Sequence, residues 1–212
     1  MDSLSKTANR DLMAQARESL RGQWGLAIGA FVIFALILNV VQFVPYIGSI
    51  GGIIIIGPMS VGMCIFALAL SRNQNPRLPQ IFEGFQKFGV ALGAYLLMVL
   101  FVFLWTLLFI IPGYIAIYAY SQTFYIIAED NNIGPLEAIR KSKEMMRGNK
   151  WKRFCLDLRF IGWMLLCLLT FGIGFLWLVP YVFISQAKFY DDLAHPAVMQ
   201  DAEPVAVESA QA

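Results

Sequence analysis

From Phe88 to Tyr120 the chain carries no Asp, Glu, Lys or Arg, and this run is far longer than the roughly 18 apolar residues that mark a candidate membrane span. An amphipathic helix of a soluble domain keeps a polar face, and this segment, FGVALGAYLLMVLFVFLWTLLFIIPGYIAIYAY, has none. Residues 160–184 are likewise uncharged, and 25–38 carries neither charge nor strongly polar group. With 58% hydrophobic and 14% charged residues, the chain reads as an all-α integral membrane protein rather than a soluble domain with an anchor.

Hydropathy and helix punctuation lay out a single membrane domain over 25–193 with about six spans, near 25–44, 49–70, 89–111, 114–128, 153–171 and 175–190. Residues 1–24 read as a retained, cytoplasmic amphipathic helix rather than a cleavable signal, because Leu4, Ala8, Leu12, Ala16 and Leu20 recur every four positions between charges. A second cytoplasmic amphipathic helix is expected over 134–148, started by Gly134-Pro135. Pro58 is expected to kink the second span, Pro112-Gly113 to end the third, and Gly172 and Gly174 to turn the chain between the fifth and sixth. If that last turn is not made, one long span over 160–184 leaves five. Residues 194–212, with the lone His195, read as a disordered polar tail.

Charge placement gives an independent test of this layout. Basic residues flanking spans stay on the cytoplasmic side. Six spans put all 16 Lys and Arg residues on one face and none in the turns near 45–49, 112–114 and 171–175, so both termini are expected to be cytoplasmic.

One phrase occurs twice, as RESLRGQW (17–24) and KEMMRGNKW (143–151). In each, an amphipathic helix ends in Arg-Gly, a tryptophan follows within three residues and a span begins. Arg21, Trp24 and Trp151 are accordingly interface anchors, since arginine snorkels to headgroups and tryptophan favours the interface. Val44-Pro45-Tyr46 recurs as Val179-Pro180-Tyr181. Internal duplication and convergence on the same interface chemistry both account for these echoes.

Five segments carry a resemblance: LWTLLFIIPGYIAIYAYSQTFYIIAED (104–130), EAIRKSKEMMRGNKWKRFCLDL (137–158), FIGW (160–163), GIGFLWLVPY (172–181) and FYDDL (189–193), with PRLPQIFEGF (76–85) in support. Together they resemble the bacterial membrane-protein family numbered nine-seventy-five among the domains of unknown function. Arg159 departs from the pattern, which more often has a small residue there. The resemblance implies a multi-span inner-membrane protein, distantly similar to membrane domains fused to glycerophosphodiester phosphodiesterases, and brings no active site with it.

Three groups of residues are candidates for function. Tyr118, Ser121, Gln122 and Tyr125 fall on one face of the fourth span, with Asn39 and Gln42 of the first span as partners; they either line a cavity or supply hydrogen bonds between packed helices. Arg140, Lys141, Lys143, Arg147, Lys150, Lys152 and Arg153 either contact anionic headgroups or only set topology. Arg153 and Asp157, one helical turn apart, read as an interfacial ion pair or a gating carboxylate with its partner. Cys64, Cys155 and Cys167 lack metal-type spacing and read as packing residues.

No nucleophile elbow, phosphate loop or histidine pair is present, so neither enzyme, metal nor cofactor is expected, and a net charge of +2 without a base-reading module disfavours nucleic acid. The leading expectation is a non-catalytic accessory or scaffold protein engaging anionic membrane lipids, another membrane protein or itself. The alternative is a small lipid or solute carrier or channel subunit.

Overall fold

The computed structural model describes Ser5 and residues 7–42, 48–170 and 172–195. Among these residues there are nine α-helices and no strand: α1 (Asn9–Leu20), α2 (Trp24–Gln42), α3 (Gly48–Ser71), α4 (Phe88–Leu108), α5 (Ile110–Tyr120), α6 (Thr123–Glu129), α7 (Pro135–Met145), α8 (Lys150–Leu169) and α9 (Phe175–Ala194), with a 3₁₀ segment, Leu78–Lys87, before α4. The Val44-Pro45-Tyr46 turn and the tail beyond His195 lie outside the described residues.

The third helix forms the centre of the bundle. Of its apolar stretch Gly51–Ser71, 67% is buried, against 17% of Trp24–Val41 in α2, because α2, α4, α6 and α9 all pack on it. Met59, Met63, Phe66 and Leu70 are fully buried there. The helix continues through Pro58, whose ring the bundle accommodates. The tightest contact is made by the 3₁₀ segment, which folds back onto α3 where two glycines meet. A Cβ at Gly62 would lie 1.8 Å from the Ile81 carbonyl oxygen, and one at Gly84 would lie 2.0 Å from that of Pro58. Backbone therefore rests directly on backbone, and the chain turns into α4 without a spacer layer.

Three helical segments are long and apolar enough to cross a membrane: Trp24–Val41, Gly51–Ser71 and Leu78–Leu108. That is fewer than the six expected from hydropathy, and the shape of the helices gives the reason. The expected fourth span is two pieces, α5 and α6, separated at Ser121-Gln122; α5, with 11 residues, is about 16 Å long against a hydrocarbon core of about 30 Å. The long run 153–190 is also two helices, turned at Gly172 with φ +85° and closed by Gly174 against Cys167. Both carry charge near one end: Lys150, Lys152, Arg153, Asp157 and Arg159 in α8, and Lys188, Asp191 and Asp192 in α9.

The expected break at Pro112-Gly113 falls earlier. Phe109 is extended, and Pro112 and Gly113 sit in the first turn of α5, where a missing N–H is tolerated. Gly113 lets α5 lie against Thr106 of α4.

The repeated phrase has a structural explanation. Gly22 (φ +80°) and Gly148 (φ +82°) both occupy the left-handed conformation, ending α1 and α7 so that α2 and α8 begin at Trp24 and Lys150. Only glycine adopts this conformation without a Cβ penalty. The second copy of the Val-Pro-Tyr echo is no turn: Pro180 and Tyr181 are buried within α9.

Candidate functional site

One end of the bundle gathers charges from elements far apart in sequence. Arg72 follows the last residue of α3, Glu129 ends α6, and Tyr190, Asp191 and Asp192 lie near the end of α9. Arg72 Nη2 reaches Asp191 Oδ1 at 2.6 Å and Glu129 Oε1 at 2.7 Å, and Arg72 Nε donates to Asp191 Oδ1 at 3.0 Å. Ser71 Oγ donates to the other oxygen of Asp191 at 3.1 Å, and Tyr190 Oη donates to Glu129 Oε2 at 2.7 Å. His195, expected in a solvated tail, instead caps the network, with Nε2 2.9 Å from Glu129 Oε1. Beside it, Asp192 accepts from Ser5 and Thr7 and pairs with Lys152 at 3.6 Å. The described N-terminal residues and the end of α9 thus meet on one face.

Cations also close helix C-termini here. Lys188 donates to the Ser71 carbonyl at the end of α3, and Lys87 to the Ile127 and Ala128 carbonyls near the end of α6. Both satisfy carbonyls without intrahelical partners and complement the negative end of the helix dipole.

Electrostatically this end is a staple rather than an acid–base site. Burial alone would push the Glu129 carboxyl up, but hydrogen bonds from Tyr190, His195 and Arg72, with the Arg72 charge, hold it down at about 2 from an ordinary 4.5. Burial alone would lower the Arg72 guanidinium, and Asp191 and Glu129 raise it instead. Glu129 stays ionised at neutral pH and makes a poor proton donor or acceptor. A carboxylate depressed on folding contributes stability above its unfolded pKa and loses it as pH falls towards the folded value. Wild type should therefore be more stable than Glu129→Gln at pH 7 by about 1–2 kcal/mol after solvent screening. That gap should close as the pH falls from about 4.5 towards 2, read as unfolding midpoints in one detergent.

The residues singled out from sequence separate into different environments. Tyr118, Ser121, Gln122 and Tyr125 straddle the break between α5 and α6, which interrupts the helical face. Ser142 of α7 plugs that break, accepting from Gln122 N at 3.2 Å and donating to the Ala119 carbonyl at 2.9 Å. Tyr118 turns towards α8, edge-on to Phe154. Tyr125 is buried on the other side, stacked on Tyr190 with its hydroxyl 3.4 Å from the Phe183 carbonyl. Gln122 is fully buried, its amide nitrogen on Ser121 Oγ. Asn39 is exposed and bonds back to the Ala35 carbonyl of its own helix, so it is no partner for that face, and the Gln42 side chain lies outside the described residues.

The basic segment also divides. Arg140, Lys141, Lys143 and Arg147 are exposed. Lys152 is turned inward to Ser5 and Asp192, and Arg153 is buried with its guanidinium 5.7 Å from the Phe189 ring centre and its Nε 3.5 Å from Asp157. Both therefore turn towards internal partners, unlike the four exposed residues. Arg21 is exposed beside Glu18 at 3.7 Å, Trp24 is half-buried, and Trp151 is exposed and stacked on Phe154. Lys150, Trp151 and Phe154 line one groove of about 400 Å³ with Ile111, Tyr114 and Tyr118. The six-span layout puts Ile111 and Lys150 at opposite faces of a hydrocarbon core about 30 Å thick, and a shared groove of this size brings them much closer than that.

A model of the family described as protein of unknown function (DUF975) matches residues 1–119 and 107–196. The chain belongs to this family. No curated protein and no solved structure matches this DUF975 member. Of the residues in the polar network, Glu129 was legible in the sequence only as part of the segment 104–130, and Tyr190, Asp191 and Asp192 only as part of FYDDL. The available signal was charge balance, since carboxylates at 129–130 and 191–192 sit at the same helix ends as the basic residues.

Proposed function

We propose that this DUF975 protein is a non-catalytic accessory or scaffold protein of the bacterial cytoplasmic membrane, with both termini in the cytoplasm, that engages anionic lipid through its amphipathic helices. The observation that carries this reading is the two-sided character of α7. Ala138, Ile139 and Ser142 are buried against the bundle, while Arg140, Lys141, Lys143 and, just beyond the helix, Arg147 project outward with no carboxylate partner among the described residues. Each such charge near an anionic leaflet is worth about 1 kcal/mol. The neighbouring groove at Trp151 offers an aromatic, apolar surface at headgroup level. The orientation belongs to the same proposal and is supported by the polar network: Arg72 after α3 meets both Glu129 of α6 and Asp191 of α9, and Ser5 and Thr7 meet Asp192, so both ends of the described chain lie at one end of the bundle.

Native mass spectrometry of the protein extracted gently from its own membrane tests the reading against the carrier alternative. Anionic phospholipid should remain bound, and replacing Arg140, Lys141, Lys143 and Arg147 together by glutamine should remove most of it. A discrete small solute, bound stoichiometrically and lost on Tyr118→Phe, Gln122→Leu and Tyr125→Phe, would overturn the scaffold reading in favour of a carrier.

A further inference from the structure

Away from α7, three arginines line a second cavity. Arg10 and Arg17 stand two turns apart on the exposed face of α1, and Arg159 joins them from α8 around a space of about 510 Å³. No carboxylate lines it, and among the described residues none of the three arginines has a carboxylate partner. Three arginines around one space with no carboxylate give it a positive potential, and guanidinium is the side chain best matched to a phosphate.

The charged cavity does not end there. Arg17, Trp163 and Tyr181 also line an adjoining, almost wholly apolar groove of about 330 Å³, which continues between α8 and α9 past Leu166 and Leu178 to Trp24 and Trp177. From Arg159 to Leu166 the helix rises by about 10 Å, so the two parts form one elongated channel, cationic at one end and oily at the other. Arg17 stands at the junction, its guanidinium 5.8 Å from the centre of the Tyr181 ring. Free phosphate would use only the first part and a hydrocarbon only the second.

We infer that this channel is a specific binding site for an anionic phospholipid, its phosphate held by Arg10, Arg17 and Arg159 and one acyl chain lying in the groove lined by Trp24, Trp163 and Trp177. The inference rests on the anionic-lipid reading above and assigns it a second, structured site distinct from the exposed α7 charges.

The chain has five tryptophans, so Trp105→Phe and Trp151→Phe leave only Trp24, Trp163 and Trp177, all in the groove. The full-length protein in this background is titrated in detergent micelles with phosphatidylglycerol brominated on one acyl chain, and separately with equally brominated phosphatidylcholine. Bromine quenches only tryptophan in contact with the chain. The anionic lipid should quench at lower mole fraction, and Arg10→Gln, Arg17→Gln and Arg159→Gln together should weaken it roughly tenfold or more while leaving phosphatidylcholine unchanged. Equal quenching by the two lipids overturns both this site and the general reading. Anion preference that survives the arginine changes but disappears with the α7 glutamine variant overturns this site alone. Relief of quenching by millimolar inorganic phosphate overturns the lipid assignment in favour of a soluble anion.

Discussion

Arg72→Met should lower the stability of the protein by about 3 kcal/mol, more than any exposed charge exchange. Arg72 serves two carboxylates at once, and its loss leaves Asp191, with 8% of its side chain exposed, with the Ser71 hydroxyl and a Lys188 ammonium that is engaged by the Ser71 carbonyl. An ionised group left in that position is shielded from water and has lost its hydrogen-bonded counter-charge, and breaking such a pair costs far more than forming it gains. Arg72→Lys should fall between, because a single ammonium cannot keep the forked contact to Asp191 and reach Glu129 as well. Adding Asp191→Asn to Arg72→Met should recover part of the loss by removing the stranded charge. The measurement is the unfolding midpoint in a denaturing-detergent titration. If Arg72→Met shifts that midpoint no more than Arg140→Met, the network is an exposed set of ion pairs and not a staple.

Gly62→Leu should prevent the native arrangement of α3 and the 3₁₀ segment. Even the first added carbon would meet the Ile81 carbonyl oxygen at 1.8 Å, and that neighbour is backbone, so no rotamer change relieves it. Gly84→Val should behave alike, its Cβ lying 2.0 Å from the Pro58 oxygen and 2.5 Å from Gly62 N. Overpacking in a close-fitted interior costs about 1–3 kcal/mol, and a clash with fixed backbone lies at the upper end or beyond. Separation of the two segments would draw Leu78–Lys87 off α3, so both variants should show rapid proteolysis near Arg77, where wild type resists. Gly89→Ala serves as the control: it lies in the next element, its added Cβ would meet nothing within 4 Å, and it should behave as wild type.

The sequence reached the membrane class, the helical content, the amphipathic helix starting at Pro135 and the turn at Gly172, because each is written in consecutive residues as hydropathy, periodicity or punctuation. It also exposed the Arg-Gly repeat, whose two glycines share one left-handed geometry. It overcounted the spans because hydropathy registers apolar length and not continuity. The α5–α6 break depends on Ser142, a residue 20 positions away from Gln122 that satisfies the backbone there.

The division of the basic segment was equally beyond a local reading. Arg147 and Arg153 are the same residue type six positions apart, yet one is exposed and the other lies against Phe189. Arg72 and Asp191 are 119 residues apart, and nothing in either neighbourhood names the other. Composition and pattern thus determined that this chain belongs in a membrane as helices. Tertiary structure alone decided which helices run unbroken and which charges face each other, because both depend on contacts between segments distant in the chain.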